Sequence, residues 1–254
     1  MIALCDSGNS RLHFSWWDGE KVINAKIIPY PVSKDSLMDT VHNFFEGVIP
    51  HKVAACSVSS YWRDILFKAL DTYAQGRLVV VRNAYDVGIR VRYDKPETIG
   101  VDRVLAAYAA YHFFQDSCVV VDAGTAVTVD AVDQDGTFIG GYIFPGFDVL
   151  SWALSAKTSL PDVSMATACE GIGNSTETCI SFGLSMGFSG AVSRLVNRAA
   201  AIVDGSRRIV VTGGGALSVL SGIPFPTKHK PYLVLEGLGY TADTLPAYSG
   251  DNAG

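Results

Sequence analysis

A short unit of strand, acidic turn and strand occurs twice in this chain, and the repeat restricts it to folds built from two like halves. The first copy reads Ile2-Ala3-Leu4-Cys5, then Asp6-Ser7-Gly8-Asn9-Ser10, then a run from Leu12 to Trp17 and an Asp18-Gly19 turn. The second reads Cys118 to Val121, then Asp122-Ala123-Gly124-Thr125, then Ala126 to Val132 and the turn Asp133-Gln134-Asp135-Gly136. Short continuous apolar runs rich in β-branched residues predict buried strands. Glycine beside aspartate accepts the positive φ that tight hairpins demand. In both copies nearly the same spacing separates the leading acid from the hairpin glycine. One supersecondary unit recurring almost half a chain later predicts duplicated α/β halves facing each other across a cleft, and this outweighs the coincidence of two unrelated hairpins.

The 254 residues suffice for one large domain or two. A hydrophobic fraction of 48% with 18% charged residues excludes a disordered chain. No stretch approaches the roughly 18 unbroken apolar residues of a membrane helix. Asp6 interrupts the apolar start before a signal-peptide core can develop, so a cytoplasmic protein is expected. Five cysteines, odd in number and without a CxxC pair, predict buried reduced thiols rather than a disulfide framework. A net charge of -5 without a basic run argues against a nucleic-acid surface. The histidines show neither HxxH nor HExxH spacing, which argues against a transition-metal site.

Between the copies, Lys34 to Gly47 carries Leu37, Val41, Phe44 and Phe45 at helical spacing, with Ser33 or Ser36 as N-cap. A strand over 53–58, a helix over 61–73 capped by Ser59 or Ser60, and a strand over 78–81 follow. Residues 82–97 read as an ordered loop. A helix begins around Thr98 to Arg103 and continues through an Ala-rich run. The domain boundary falls near residue 116, giving halves 1–115 and 116–254. In the second half a third strand spans 137–143 and ends at Pro145-Gly146. Helices are expected over 147–155 and from Asn174 through Arg198, joined by a polar connection over 157–170. Strands are expected over 207–211 and 232–235. A last helix is expected to return to the first half, and the tail after about 248 to be flexible.

Three loops share one logic: D-S-G-N-S at 6–10, D-A-G-T at 122–125 and T-G-G-G-A at 212–216, each after a predicted buried strand. Glycines let backbone N–H groups approach a phosphate or purine, while the carboxylate can hold a phosphate's metal ion. On that ground alone Asp122 reads as a magnesium ligand. There is no G-x-x-x-x-G-K-[ST] and no G-x-G-x-x-G after a strand, so neither a P-loop nor a dinucleotide fingerprint applies. Singly each loop is weak evidence; together, in this order, they are strong.

D-x-G-N-[ST], D-x-G-T-A and T-G-G resemble the phosphate and adenosine motifs of the hexokinase and actin superfamily of ATP-binding folds. Within it, Pro96 followed by Gly100-Val101-Asp102-Arg103 and an Ala-rich helix, then D-A-G-T-A and G-G-Y-I-F-P-G, resembles the type III pantothenate kinases, also described as the Bvg accessory factor family. The resemblance covers residues 2 to about 240. The family's first phosphate motif usually ends in threonine; Ser10 keeps the hydroxyl. This resemblance implies an α/β fold of two duplicated ribonuclease-H-like, actin-like domains, with mixed sheets flanked by helices and an ATP cleft between them. It implies ATP-dependent phosphorylation of pantothenate, the first step toward coenzyme A, by a homodimer with substrate at the subunit interface. It further implies that Asp6, Ser7, Gly8, Asn9, Ser10, Arg11, Leu12 and His13 form the ATP phosphate loop, with Asp6 near Mg2+ and Thr125 at the ATP. Asp102 becomes the catalytic base; Tyr93, Gly100, Val101, Arg103 and Thr176 contact pantothenate, with Thr178 a close alternative to Thr176. Asp122 moves to a monovalent cation, K+ or NH4+.

The residue chemistry agrees. Phosphoryl transfer needs a metal carboxylate, phosphate donors and a carboxylate that orients or deprotonates the attacking hydroxyl. Asp102 suits the last task, although an acid in a helix's first turn also complements the macrodipole. Arg103 suits an anionic substrate or a structural ion pair. Asp122 suits a ligand or a turn-capping role, and its twin Asp6 favours the former. Gly183-Leu184-Ser185-Met186-Gly187 fits a hydrolase elbow, with His229 and Asp204 as formal partners, but its helical context opposes that reading. A regulatory nucleotide-binding protein and a kinase for another hydroxylated acid are the competing functions.

Overall fold

Alternation along the first strand decides the architecture of the first half. In the computed structural model, which describes residues 1–30, 33–166, 169, 171–203, 208–220 and 222–245, that strand is β1 (Ile2–Ser7). It is followed by β2 (Arg11–Trp17), β3 (Val22–Pro29), α1 (Lys34–Phe45), β4 (Lys52–Ser57), α2 (Arg63–Ala74) and β5 (Leu78–Val81). The sheet order is β3-β2-β1-β4-β5, with β1 antiparallel to β2 and parallel to β4. Ala3 and Cys5 point to one face, where Phe14, Val53, Ala55, Leu78 and Val80 meet Leu37, Val41, Phe45, Leu66 and Leu70 of α1 and α2. Leu4 and Asp6 point to the other face.

Ser33 caps α1 by accepting from the Ser36 amide, and Glu46 closes it in the left-handed conformation. The expected cap of α2 by Ser59 or Ser60 is not realised. Trp62 holds the cap position in helical geometry without a side-chain cap, and Ser59 Oγ accepts only a long 3.4 Å bond from the Trp62 amide. Residues 82–97 are more structured than a loop: short 3-10 turns at Ala84–Asp86 and Pro96–Thr98 flank β6 (Arg90–Val91). Then comes α3 (Val101–Phe114).

The second half repeats the order with β7 (Cys118–Ala123), β8 (Ala126–Val132), β9 (Thr137–Pro145), α4 (Phe147–Lys157), α5 (Thr176–Ile202), β10 (Ile209–Thr212), α6 (Ala216–Leu220) and β11 (Thr227–His229). Its strands run β9-β8-β7-β10-β11, with β7 antiparallel to β8 and parallel to β10, which is the topology of the first sheet. Val119, Val121, Val127 and Val129 pack against Phe188, Val192 and Val196 of α5. By length and mean hydropathy α5 could cross a membrane, although glycines, serines and arginines break up its apolar run.

The chain then closes with α7 (Leu233–Thr244). The strand expected at 232–235 is thus the first turn of a helix. A four-residue apolar run carries no usable period, and the helical spacing emerges only when Leu235, Leu238, Thr241 and Ala242 are read together. Two compact units result: 1–113 with 136–138 and 232–254, and 114–135 with 139–231. The start of the strand expected at 207 and the tail expected to be flexible lie outside the described residues. Cys5, Cys56 and Cys118 are buried free thiols, whereas Cys179 is exposed.

α7 lies across β1, β2, β3 and β4 on the face opposite α1 and α2. Its approach depends on small residues: a Cβ on Gly237 would strike the Leu105 carbonyl, and one on Gly239 would enter the Trp17 ring. Lys52 Nζ donates to the carbonyls of Ala242 at 2.6 Å and Leu245 at 3.2 Å, satisfying the end of the helix. Gly237→Ala should therefore destabilise the fold by about 1–3 kcal/mol, the usual cost of overpacking. The check is urea unfolding followed by tryptophan fluorescence; an unchanged midpoint would refute the close packing.

Candidate active site

Asp6 lies inside β1 rather than in the turn after it, and is only 4% exposed. A buried carboxylate must find donors. Register supplies them, because Asp6 is paired with His13 on β2 and Cys56 on β4. The three side chains form a row across one face of the sheet. His13 Nδ1 lies 3.1 Å from Asp6 Oδ2, and the Cys56 thiol donates to Asp6 Oδ1 at 3.3 Å. Burial first, and then the Asp6 charge, push the Cys56 thiol well above its ordinary range.

A second row braces the same loop from the opposite face. Ser57 Oγ donates to Ser7 Oγ at 2.9 Å, and Ser7 Oγ lies 2.6 Å from the Tyr30 hydroxyl. Tyr30 Oη also donates to the Gly8 carbonyl at 2.6 Å, and its ring stacks on Trp62 with centroids 5.5 Å apart. The Gly8 amide donates to the Arg11 carbonyl at 3.1 Å. Asn9, Ser10 and Arg11 form the exposed rim. Leu12 sends its side chain into the core, so it can offer a ligand only its backbone. Cys56, Ser57, Tyr30 and Trp62 were not singled out in the sequence. Their spacing carries no motif, and only the strand register reveals them.

Asp102 is the second residue of α3, and its Oδ1 accepts from the Arg103 amide at 2.8 Å. A Cβ on Gly100 would stand 2.6 Å from that oxygen, so a larger residue before α3 would displace the Asp102 carboxylate. The Val58 amide donates to the Ser7 carbonyl at 3.0 Å, and the Val58 side chain reaches toward Gly100. The Asp102 charge also contributes, as a minor cause, to the upward shift at Cys56. The ends of β1 and β4 and the start of α3 therefore converge within the first unit. Val101 is buried in the core. Arg103 is only 8% exposed, and its guanidinium lies 5.6 Å above the Phe138 ring, which itself lies 6.3 Å from the half-exposed Tyr93.

The second unit has an equivalent row of different chemistry. Asp122 pairs with Thr128 on β8 and Thr212 on β10. Thr128 Oγ1 is buried with no hydrogen-bond partner. A row offering only oxygens, one of them orphaned, fits a hard cation. The T-G-G-G loop closes on it: Gly213 has φ 88°, a Cβ there would strike Asp122 Oδ1, and the Gly215 amide donates to the Ala123 carbonyl at 2.8 Å. Gly146 joins them, its amide donating to the Thr125 carbonyl at 2.9 Å. Asp6 fits magnesium differently, since that ion keeps most of its waters and takes one or two carboxylates beside substrate phosphates. Among the described residues no three His, Cys, Asp or Glu gather into a metal cage.

Thr176 opens α5 and is exposed. The neighbouring Thr178 hydroxyl is engaged in the cap, accepting from the Asn174 and Ser175 amides at 3.1 and 3.0 Å. Gly183 to Gly187 lies inside α5, so no nucleophile elbow exists there. His229 sits exposed on β11, and Asp204 is outside the described residues.

The model of the type III pantothenate kinase family matches residues 2–198, which include the candidate residues from Asp6 to Thr176 but not the 212–216 loop. A type III pantothenate kinase of Persephonella marina is 30% identical over 94% of this chain and 96% of its own. Among solved structures, a Campylobacter jejuni protein named for the Baf family of transcriptional activators is 19% identical, covers 95% of this chain and 97% of its own, and superposes with a TM-score of 0.58. An ROK hexokinase of Thermus thermophilus, 12% identical over 94% of this chain and 97% of its own, gives 0.51. Those two likenesses establish a hexokinase-like, actin-like fold.

The buried thiols predict a pH dependence. Burial lifts Cys118 from its ordinary 9.0 to about 12 and raises Cys5 and Cys56; Tyr30, Tyr108 and Tyr240 move upward as well. The unfolded chain releases these protons first, so stability should fall as pH rises from about 9 toward 12. Urea midpoints should drop across that range, and Cys118→Ala should make the drop shallower. A flat profile would contradict the burial.

Proposed function

The chain belongs to the type III pantothenate kinase family, and from that premise we propose that it transfers the γ-phosphoryl group of ATP to the primary hydroxyl of pantothenate, committing it to coenzyme A synthesis. The observation that carries this reading is the convergence, within one unit, of the braced Asp6 loop and the Gly100–Arg103 turn. A phosphoryl-transfer enzyme works chiefly by positioning and charge stabilisation, and both elements are held by buried contacts.

In this reading residues Asp6 to His13 cradle the ATP phosphates through backbone amides and the hydroxyl of Ser10, and Thr125 meets the nucleotide from the second acidic loop. Asp102 takes the proton of the attacking hydroxyl. Arg103, with Tyr93, Gly100, Val101 and Thr176, holds pantothenate, its guanidinium matching the substrate carboxylate. Magnesium would be held at Asp6, and a monovalent cation at Asp122 with Thr128. These ions, when bound, offset negative charge on the phosphate oxygens.

The same reading makes the protein a cytoplasmic homodimer whose domains divide near 115/116. Support for the dimer comes from α5, whose most apolar stretch is only 22% buried. On it Gly183, Gly187 and Gly190 share one face, and a Cβ on any of them would meet nothing within 4 Å. Nothing among the described residues demands small residues there, whereas close approach of a second subunit would.

Wild type should form phosphopantothenate from ATP with potassium or ammonium and lose activity with sodium alone, while Asp102→Asn should lower kcat roughly 10²–10⁴-fold. Full activity in that variant would remove Asp102 as the base. Gly187→Leu adds helix propensity without an internal clash, so the subunit should fold yet run as a monomer in light scattering; an intact dimer would exclude this face.

A further inference from the structure

Phe138 belongs to the second repeat by sequence, yet it groups with the first unit through the segment 136–138. It is fully buried, although it lies near the start of the β9 strand. Its backbone ties down the substrate loop: Arg90 and Val91 pair with Thr137 and Phe138, and the Arg92 amide donates to the Phe138 carbonyl at 2.8 Å. Its ring reaches both side chains that flank that loop, Arg103 through the 5.6 Å cation–π contact and Tyr93 through the 6.3 Å ring contact. The adjacent Gly136, at φ 73°, packs on the Tyr111 ring of α3 and anchors the segment.

We propose that Phe138 is a positioning residue for substrate recognition, fixing the Arg103 guanidinium and the Tyr93 ring relative to each other. This rests on the reading of Arg103 and Tyr93 as substrate contacts. A guanidinium that is nearly buried has few orientations in which it can still meet an anion. A ring face beneath it selects one of them, since the cation is attracted to the face and the planar group lies along it. Leucine would fill the volume but present no quadrupole. Tyrosine or tryptophan would keep the face.

The test uses the full chain with two independent readouts. In a double-mutant cycle of urea unfolding, Phe138→Leu and Arg103→Met should be non-additive, their coupling changing the unfolding constant by roughly three- to thirtyfold. Additive effects would overturn the proposal whatever the enzyme's substrate. In kinetics, Phe138→Leu should raise KM for pantothenate roughly tenfold, leave KM for ATP within about twofold and spare most of kcat, because uniform binding is what is lost. Phe138→Tyr should restore KM for pantothenate toward wild type. Equal changes in both KM values, or no rescue by tyrosine, would overturn the positioning role alone. Folded wild type that never phosphorylates pantothenate would overturn the functional reading and the positioning role with it.

Discussion

The first unit depends on a carboxylate placed inside a strand. Asp6 at the end of β1 is nearly inaccessible, so the strand can pair only in a register that brings donors to it. The pairing with His13 and Cys56 meets that demand, and a slip by one residue would turn Asp6 into the apolar core beneath α1 and α2. The same register sets Ser7 and Ser57 on the opposite face, where Tyr30 links them to the Gly8 carbonyl. One register therefore fixes the loop from both sides, and an exposed, glycine-containing segment gains a rigid base. A loop of Asn9, Ser10 and Arg11 is thereby held at its base although its side chains are exposed, which is the pre-organisation that the proposed phosphate role requires.

Duplication copied the register but not the chemistry. Asp122 occupies in the second sheet the place Asp6 occupies in the first, flanked again by an antiparallel and a parallel neighbour. There the flanking residues are threonines. An imidazole and a thiol donate to a carboxylate and hold its geometry; threonine hydroxyls can also face a cation with their lone pairs. Thr128 Oγ1, buried without a partner, is the oxygen of this row that the described residues leave unused. The two acids are thus equivalent in topology and distinct in what they can bind.

The sequence made the repeat, the buried strands and the acidic loops legible because each carries a local signal: β-branched runs, Asp-Gly turns and glycine after acid. It also made α1 and its Ser33 cap legible. It misled at 232–235, read as a strand, since four apolar residues fit a strand as well as a helix, and contact with the far side of β1 decided for the helix. The braces of the site were invisible for a related reason. Cys56 and Tyr30 matter through register with residues many positions away, and no local pattern encodes a cross-strand partner. Phe138 reads as an ordinary hairpin residue until its ring is found beneath Arg103.

The glycines separate what the chain does within itself from what the proposed dimer would use. A Cβ at Gly213 or Gly237 would strike a backbone carbonyl of the same unit, so each is required by an internal approach. A Cβ at Gly183, Gly187 or Gly190 would meet nothing, although every glycine inside a helix costs about 1 kcal/mol relative to alanine. A helix that bears this cost three times along one face, with no contact among the described residues to offset it, fits the dimer proposed above. The apolar residues of α5 left unburied point the same way. Because Thr176 opens this helix, a partner packed along α5 would also fix the orientation of the end that carries it, and in the proposed reading assembly and substrate binding would then share one rigid element.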